Sequence, residues 1–241
     1  MFLLLPILSL TAHPILLAAA VIPAIWLLVK VYRADHLEPE PPGLILSLVV
    51  MGVLSTTLAS VTERLGMGVL SIFFHRETPF SRFLLYFLVV GLSEEGFKYL
   101  LLKARTWNHR EFNCQFDGVV YAVSVSLGFA LWENISYVFR YGLATALVRA
   151  VTAVPGHACF GVFMGLWYGA ARRFALSGRE DDSKAARTLA VVVPTLLHGA
   201  YDFIASEVQG LFSLGFLAFV IILFAAANYV VKQVSAQDRY L

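Results

Sequence analysis

Seven runs of predominantly apolar residues, at about 12–32, 43–62, 80–102, 117–139, 148–171, 187–206 and 211–232, follow one another with only short charged or proline-containing joints between them. Each is about the length a helix needs to cross the hydrocarbon core of a bilayer, roughly 20 residues at a rise of about 1.5 Å per residue. Backbone placed in lipid must satisfy its own hydrogen bonds, so such runs span as helices. The pattern predicts an all-α fold: a polytopic transmembrane helix bundle of about seven or eight spans. Residues 1–241 are expected to form a single integral membrane domain, with no soluble domain. The eighth segment is "LGMGVLSIFFHRETPF", 65–80, which is apolar but short and broken by glycine. It is expected to be an interfacial or re-entrant piece, the alternative being that the second helix simply continues. "RADHLEPEPPG" stops the first run, because successive prolines cannot continue a helix and Pro42 can open the next.

The residue balance agrees with a chain living in lipid. Hydrophobic residues make up 59% of it and the mean hydropathy is +0.75, against an apolar share of roughly 45–50% in soluble domains. A net charge of +2, with the basic residues scattered among the joints, argues against nucleic acid as a partner. Cys114 and Cys159 form neither a disulfide framework nor a CxxC metal site and read as unpaired thiols. The first basic side chains, Lys30 and Arg33, follow the first apolar run, which therefore reads as a retained membrane segment rather than a signal peptide. Twelve Lys and Arg residues fall in the joints after the odd-numbered runs, and only Arg64, Arg76, Arg82, Arg140 and Arg149 on the other side. By the positive-inside rule the protein is expected in the cell membrane, multi-pass, with its N-terminus outside and its C-terminus cytoplasmic.

Against this background the ionisable residues inside the runs stand out. An acidic or basic side chain at the centre of a spanning helix costs roughly 2.5–3.5 kcal/mol, so each calls for a function or a partner. The third run carries Glu94, Glu95 and Lys98, the fourth Glu133, the fifth His157, and the sixth His198 and Asp202. Glu94 and Lys98, Glu133 and Tyr137, and His198 and Asp202 are each four apart and share a helix face. Counting rises from the outer ends puts Glu94 about 20 Å deep and the other groups roughly 5–15 Å deep. They can therefore meet in one polar chamber in the middle-to-outer half of the membrane. Gly91, Gly96, Gly128, Gly156, Gly161, Gly165 and Gly199 would let the helices around it approach closely.

Taken singly, these groups have plainer readings. Glu94 with Lys98 is a neutralised ion pair, and His198 with Asp202 a hydrogen-bonded structural pair. Trp132, Tyr137, Trp167 and Tyr168 suit packing or interface anchoring, and Cys159 has no electropositive setting to make it a nucleophile. The coincidence of acids and histidines at compatible depths on four runs favours a site. A carboxylate that takes a proton from water, with histidines donating to a tetrahedral oxyanion, can hydrolyse a peptide bond. Lys98 would keep the neighbouring carboxylate ionised, and Asp202 would orient the His198 ring. No cofactor is required in that scheme. The same donors, His157, His198, Glu94 and Glu95, would also suit zinc, although no HExxH motif is present.

Four blocks resemble the PrsW family of intramembrane proteases, a branch of the wider group containing the CAAX proteases and bacteriocin-processing enzymes. They are "EEGFK" (94–98), "DGVVYAVSVSLGFALWENISY" (117–137), "RAVTAVPGHACFG" (149–161) and "LLHGAYDF" (196–203). The resemblance covers roughly residues 91–205, and the helices of about 80–206 would form the active-site core. It implies cleavage of a membrane-tethered, single-span protein substrate of the anti-sigma-factor kind near the outer face, with the lipid bilayer as the other partner. It also implies Glu94 and Glu95 as a catalytic pair, His157 and His198 as further active-site groups, and Asp202 as the partner of His198. Glu133 and Asn134 match the family's "EN" block and, with Lys98 and Tyr137, would support the site or position substrate. Against the wider group, EExxxR is replaced by EExxK, the aromatic four residues before the first histidine by Ala153, and HxxxN by HxxxD. Two other classes fit the same composition: a non-enzymatic scaffold or immunity protein, and a proton-coupled transporter.

Overall fold

The computed structural model describes residues 14–207 and 211–241, apart from the side chains of Ile15 and of residues 211–213. The predicted start of the first run, at 12, lies outside them. Proline begins three of the helices, where its missing N–H costs nothing: α1 (Pro14–Tyr32), α2 (Pro42–Phe73) and the short α3 (Pro79–Leu84). A π-helical stretch, Leu85–Gly91, then leads into α4 (Leu92–Thr106). The remaining helices are α5 (Asp117–Tyr141), α6 (Leu143–Val151), α7 (Ala153–Leu176), α8 (Glu180–Ser206) and α9 (Leu211–Ala236). Among the described residues the only β pairing is an isolated antiparallel bridge between Cys114 and Tyr240.

Among the described residues, five helical segments are long and apolar enough to cross a membrane: Pro42–Phe73, Asp117–Tyr141, Leu143–Leu176, Glu180–Ser206 and Leu214–Ala236. This is a multi-pass membrane protein. Of the other two predicted runs, the described part of the first forms an apolar helix, and the third is divided by the π-helical stretch. The separate interfacial piece expected at 65–80 is a correction: α2 continues without a break to Phe73. Its glycines do not stop it, because Gly66 lies where Val89 of the π-helical stretch packs. At 32 residues α2 is about 48 Å long, well beyond the roughly 30 Å of hydrocarbon.

Helix α5 is the centre of the bundle, packed against α1, α2 and α7. Every residue from Asp117 to Ala130 is buried, as befits a segment that is apolar or small all round and lacks a charged face. Close approach depends on glycine where backbones touch. A methyl group at Gly128 would fall on the carbonyl of Val49 in α2, and one at Gly52 on the carbonyl of Val125 in α5, so the two glycines form a reciprocal crossing. Gly161 and Gly165 of α7 face Val123 and Val119 of α5 in the same way. Gly91 fits against the α8 backbone at Thr195 and Gly199, whereas Gly96 has open space beside it and no packing role. Gly128→Leu is expected to destabilise the protein by about 1–3 kcal/mol or more by forcing α2 and α5 apart. A melting temperature in detergent equal to wild type would contradict this.

At the α5 N-terminus the joint 33–41, the loop 107–116 and the tail 237–241 converge. Tyr32 donates to the Glu40 carbonyl (2.9 Å), Ser235 Oγ to the Ala34 carbonyl (2.5 Å) and the Leu241 N–H to the Asn113 carbonyl (2.7 Å). Burial, reinforced by neighbouring carboxylates, pushes Glu40 up to about 8 and the Cys114 thiol up to about 12. Both cysteines are free and buried.

Candidate active site

Glu94 and Glu95 open α4 directly after the π-helical stretch. Across that stretch the N–H of Leu92 donates to the Phe87 carbonyl, five residues back. The wider turn changes the rotational phase of the helix just before the two acids. Lys98 lies one turn on, three residues from one glutamate and four from the other, and reaches both. Its Nζ donates to Glu95 Oε1 at 2.7 Å and to Glu94 Oε2 at 3.3 Å. The expected pairing with Glu94 is therefore present, but the tighter partner is Glu95. Lys98 and Glu95 are fully buried, and the Phe129 ring covers the ammonium at 3.9 Å.

Helices α7 and α8 bring the two histidines onto the same cluster. His157 Nδ1 is 3.1 Å from Lys98 Nζ, and its Nε2 is 2.9 Å from Glu133 Oε2. An ammonium has only donors and a carboxylate only acceptors, so the ring accepts at Nδ1 and donates from Nε2–H. His198 Nδ1–H donates to Glu95 Oε1 at 2.9 Å, while its Nε2 faces Asp202 Oδ2 at 3.4 Å. Phe160 stacks on the His198 ring, and the two imidazoles meet edge to face with centroids 5.2 Å apart. One donor atom each from Glu94, Glu95, His157 and His198 lies within 4.8 Å of the others.

Glu94, His157 and His198 form the floor of a chamber of about 670 Å³. Its walls come from the C-terminal halves of α2, α5 and α8, the start of α7 and the π-helical stretch. Glu94, Glu133, His157, His198 and Asp202 line it, but Glu95 does not. The adjacent glutamates thus face different surroundings: Glu94 looks into the chamber, and Glu95 is sealed behind it holding Lys98 and His198.

The supporting residues divide as well. Glu133 accepts from Arg149 Nη2 at 2.7 Å as well as from His157. Asn134 is fully buried; it accepts from Arg149 Nε at 3.0 Å and donates to the Ala20 carbonyl of α1 at 2.9 Å. It therefore clamps α1 to α5 and is not among the residues lining the chamber. Tyr137 lies under the Arg149 guanidinium, 4.1 Å from its centre, and lines the chamber wall.

Sequence reasoning missed Arg149 and Glu63. In the sequence Arg149 counts as a positive charge on the sparsely charged side and as the first residue of the 149–161 block, with no partner indicated; α6 folds it back over Glu133. The signal available was a lone cation in an apolar stretch eight residues before His157. Glu63 fell one residue past the predicted end of the second run at 62, and the continuation of α2 carries it into the chamber wall.

A family model described as "PrsW family intramembrane metalloprotease" matches residues 40–227. The chain belongs to the PrsW family. Relatives named "Protease PrsW" match it along most of its length, and the membership makes it a protease. The one from Oceanobacillus iheyensis is 34% identical over 221 residues, covering 90% of this chain and 95% of its own. The Bacillus subtilis protein is 35% identical over 198 residues, with 80% and 84% covered, and that of Shouchella clausii 33% over 220, with 91% and 97% covered. No solved structure matches the chain.

Proposed function

We propose that this protein is an intramembrane endopeptidase that hydrolyses a membrane-tethered, single-span protein substrate, anti-sigma-factor-like by family resemblance. The observation that carries the reading is a carboxylate, Glu94, facing a polar chamber inside the helix bundle beside two fixed imidazoles. Glu94 takes the proton of a water entering the chamber, and the hydroxide attacks the scissile carbonyl. The developing oxyanion accepts from a doubly protonated His198, whose Nδ1–H stays on Glu95 while its Nε2–H turns from Asp202 to the oxyanion. His157, whose single N–H is held by Glu133, keeps Lys98 and Glu133 in place. Glu94 then returns its proton to the leaving amine. Glu95 is a positioning residue that anchors Lys98 and His198.

The donor set also fits a divalent metal of the zinc type. Two imidazoles and two carboxylates converge within 4.8 Å, and the buried Glu95 Oε2 has no hydrogen-bond partner. His157, His198, Glu94 and Glu95 would hold the ion. When bound, zinc would polarise a carbonyl and acidify a water. Elemental analysis of purified protein, with activity followed through chelation and readdition, separates the readings. Stoichiometric zinc that activity tracks assigns the four residues as ligands; full activity after zinc is removed keeps the metal-free scheme.

For topology the reading takes seven crossings: α1, α2, the path from α3 to α4, α5, α6 with α7, α8, and α9. The basic-residue bias then puts the N-terminus outside, the C-terminus in the cytoplasm and the chamber toward the outer face. The function is tested in proteoliposomes containing the full chain and single-span reporters with tagged outer domains. Release of the tag is expected. Stoichiometric capture of a reporter without any cleavage would favour a scaffold instead.

A further inference from the structure

Asp117 lies sixteen residues before Glu133 on α5, about 24 Å along the helix and away from the chamber. Around it the joint after α1 brings Asp35 and Glu40, so that one carboxylate oxygen of each of the three lies within 4.8 Å of the others. Asp35, Glu40 and Asp117 are 7%, 3% and 2% exposed. Asp117 Oδ2 accepts from the N–H groups of Asn113 and Cys114 at 2.9 and 2.7 Å. Asp35 Oδ2 and Glu40 Oε2 are buried and have no hydrogen-bond partner. Among the described residues, no Lys or Arg forms a salt bridge with any of the three. The tail adds Asp238, which accepts from the Phe116 N–H through Oδ1 at 3.0 Å and leaves Oδ2 buried without a partner.

Clustered acids alone indicate little. Here, however, three carboxylate oxygens are shut away from water and lack any donor, in a nest of like charge. Burying an unpaired carboxylate is costly, so something positive must accompany the group or protons must neutralise it. The spacing suits a cation. Oxygens around calcium, at about 2.3–2.6 Å from the ion, stand up to roughly 5 Å apart, and those around magnesium up to about 4.2 Å. The donors are hard oxygens, which favour magnesium or calcium over zinc. Cys114 is close by, but its buried thiol keeps its proton and offers no thiolate.

We propose that Asp35, Glu40 and Asp117, joined by Asp238, form a binding site for one hard divalent cation of the magnesium or calcium class. The ion would tie the joint 33–41, the start of α5 and the C-terminal tail together, so its first effect is on stability.

The test uses full-length protein in detergent, stripped with a chelator, and follows melting with added Mg²⁺ or Ca²⁺ and binding of Mn²⁺ by electron paramagnetic resonance. Saturating cation is expected to raise the melting temperature by about 5–10 °C, with one Mn²⁺ bound per chain. Competition against Mn²⁺ tells which of Mg²⁺ and Ca²⁺ the site prefers. Glu40→Gln and Asp35→Asn should each abolish both effects. Without cation they should melt at or above wild type, because an amide needs neither a cation nor a bound proton to be buried there. Glu94→Gln, in the chamber, should keep the full response. No shift with either cation and no bound Mn²⁺, or a response in Glu40→Gln and Asp35→Asn equal to that of wild type, would overturn the site.

Discussion

Replacing Glu94 by Gln is expected to lower cleavage of a tethered reporter by about 10²–10⁴-fold, the range of a lost general base, while membrane insertion and melting temperature stay close to wild type. Glutamine keeps the shape of the side chain and a carbonyl oxygen toward Lys98, which lies 3.3 Å from the present carboxylate. It removes the basic oxygen that faces the chamber. Stability changes little because the closest partner of Lys98 remains Glu95 at 2.7 Å. Glu95→Gln should also reduce cleavage, but by a different route. It weakens the hold on both Lys98 and His198, so it should lower the melting temperature as well. Steady-state cleavage by Glu94→Gln within threefold of wild type would remove Glu94 from the base role.

Lys98→Met is expected to be the most destabilising single change in the site. Methionine matches the length of the lysine stem and can lie against the Phe129 ring, so the volume change is small. Two acids lose their cation, however, inside a cluster where Glu95 is fully buried and Glu94 nearly so. Removing one partner of a buried ion pair costs about 3–5 kcal/mol because the other charge is left uncompensated. For a chain of this size that corresponds to a fall of roughly 6–20 °C in melting temperature. The double change Lys98→Met with Glu95→Gln should recover much of the loss, since it also withdraws the stranded charge. If both variants melt alike, the destabilisation comes from packing and not from charge.

Much of this site can be read along the chain because its parts are local. A glutamate pair followed by a lysine three and four residues later must place all three on adjoining helix faces, and His198 with Asp202 follows the same spacing. That polar groups on four apolar runs would need one another's company follows from the cost of leaving each in lipid. Other features depend on neighbours that no local spacing encodes. The π-helical stretch before Glu94 carries no distinguishing composition, and its register reflects packing against α2 and α8. Arg149 reaches Glu133 only because α6 turns back after Gly142, whose φ of +86° is natural for glycine. Glu63 joins the chamber because α2 stays helical past the apolar run that ends at 62 and packs there against the π-helical stretch.

The amino-acid sequence by itself determined that this chain is helical and membrane-embedded, that it has the PrsW pattern, and which acids and histidines are too costly in lipid to stand alone. Hydropathy and the helical repeat act over one or two turns, so these conclusions need no knowledge of the rest of the molecule. Only the tertiary structure decided which of two adjacent glutamates faces the chamber, which one takes the tighter hold on Lys98, and that Asp35, Glu40 and Asp117 meet at the other end of α5. Those outcomes depend on the rotation and crossing of helices distant in sequence. That geometry is set by backbone contacts such as Gly52 with Gly128, which arise only when the bundle closes.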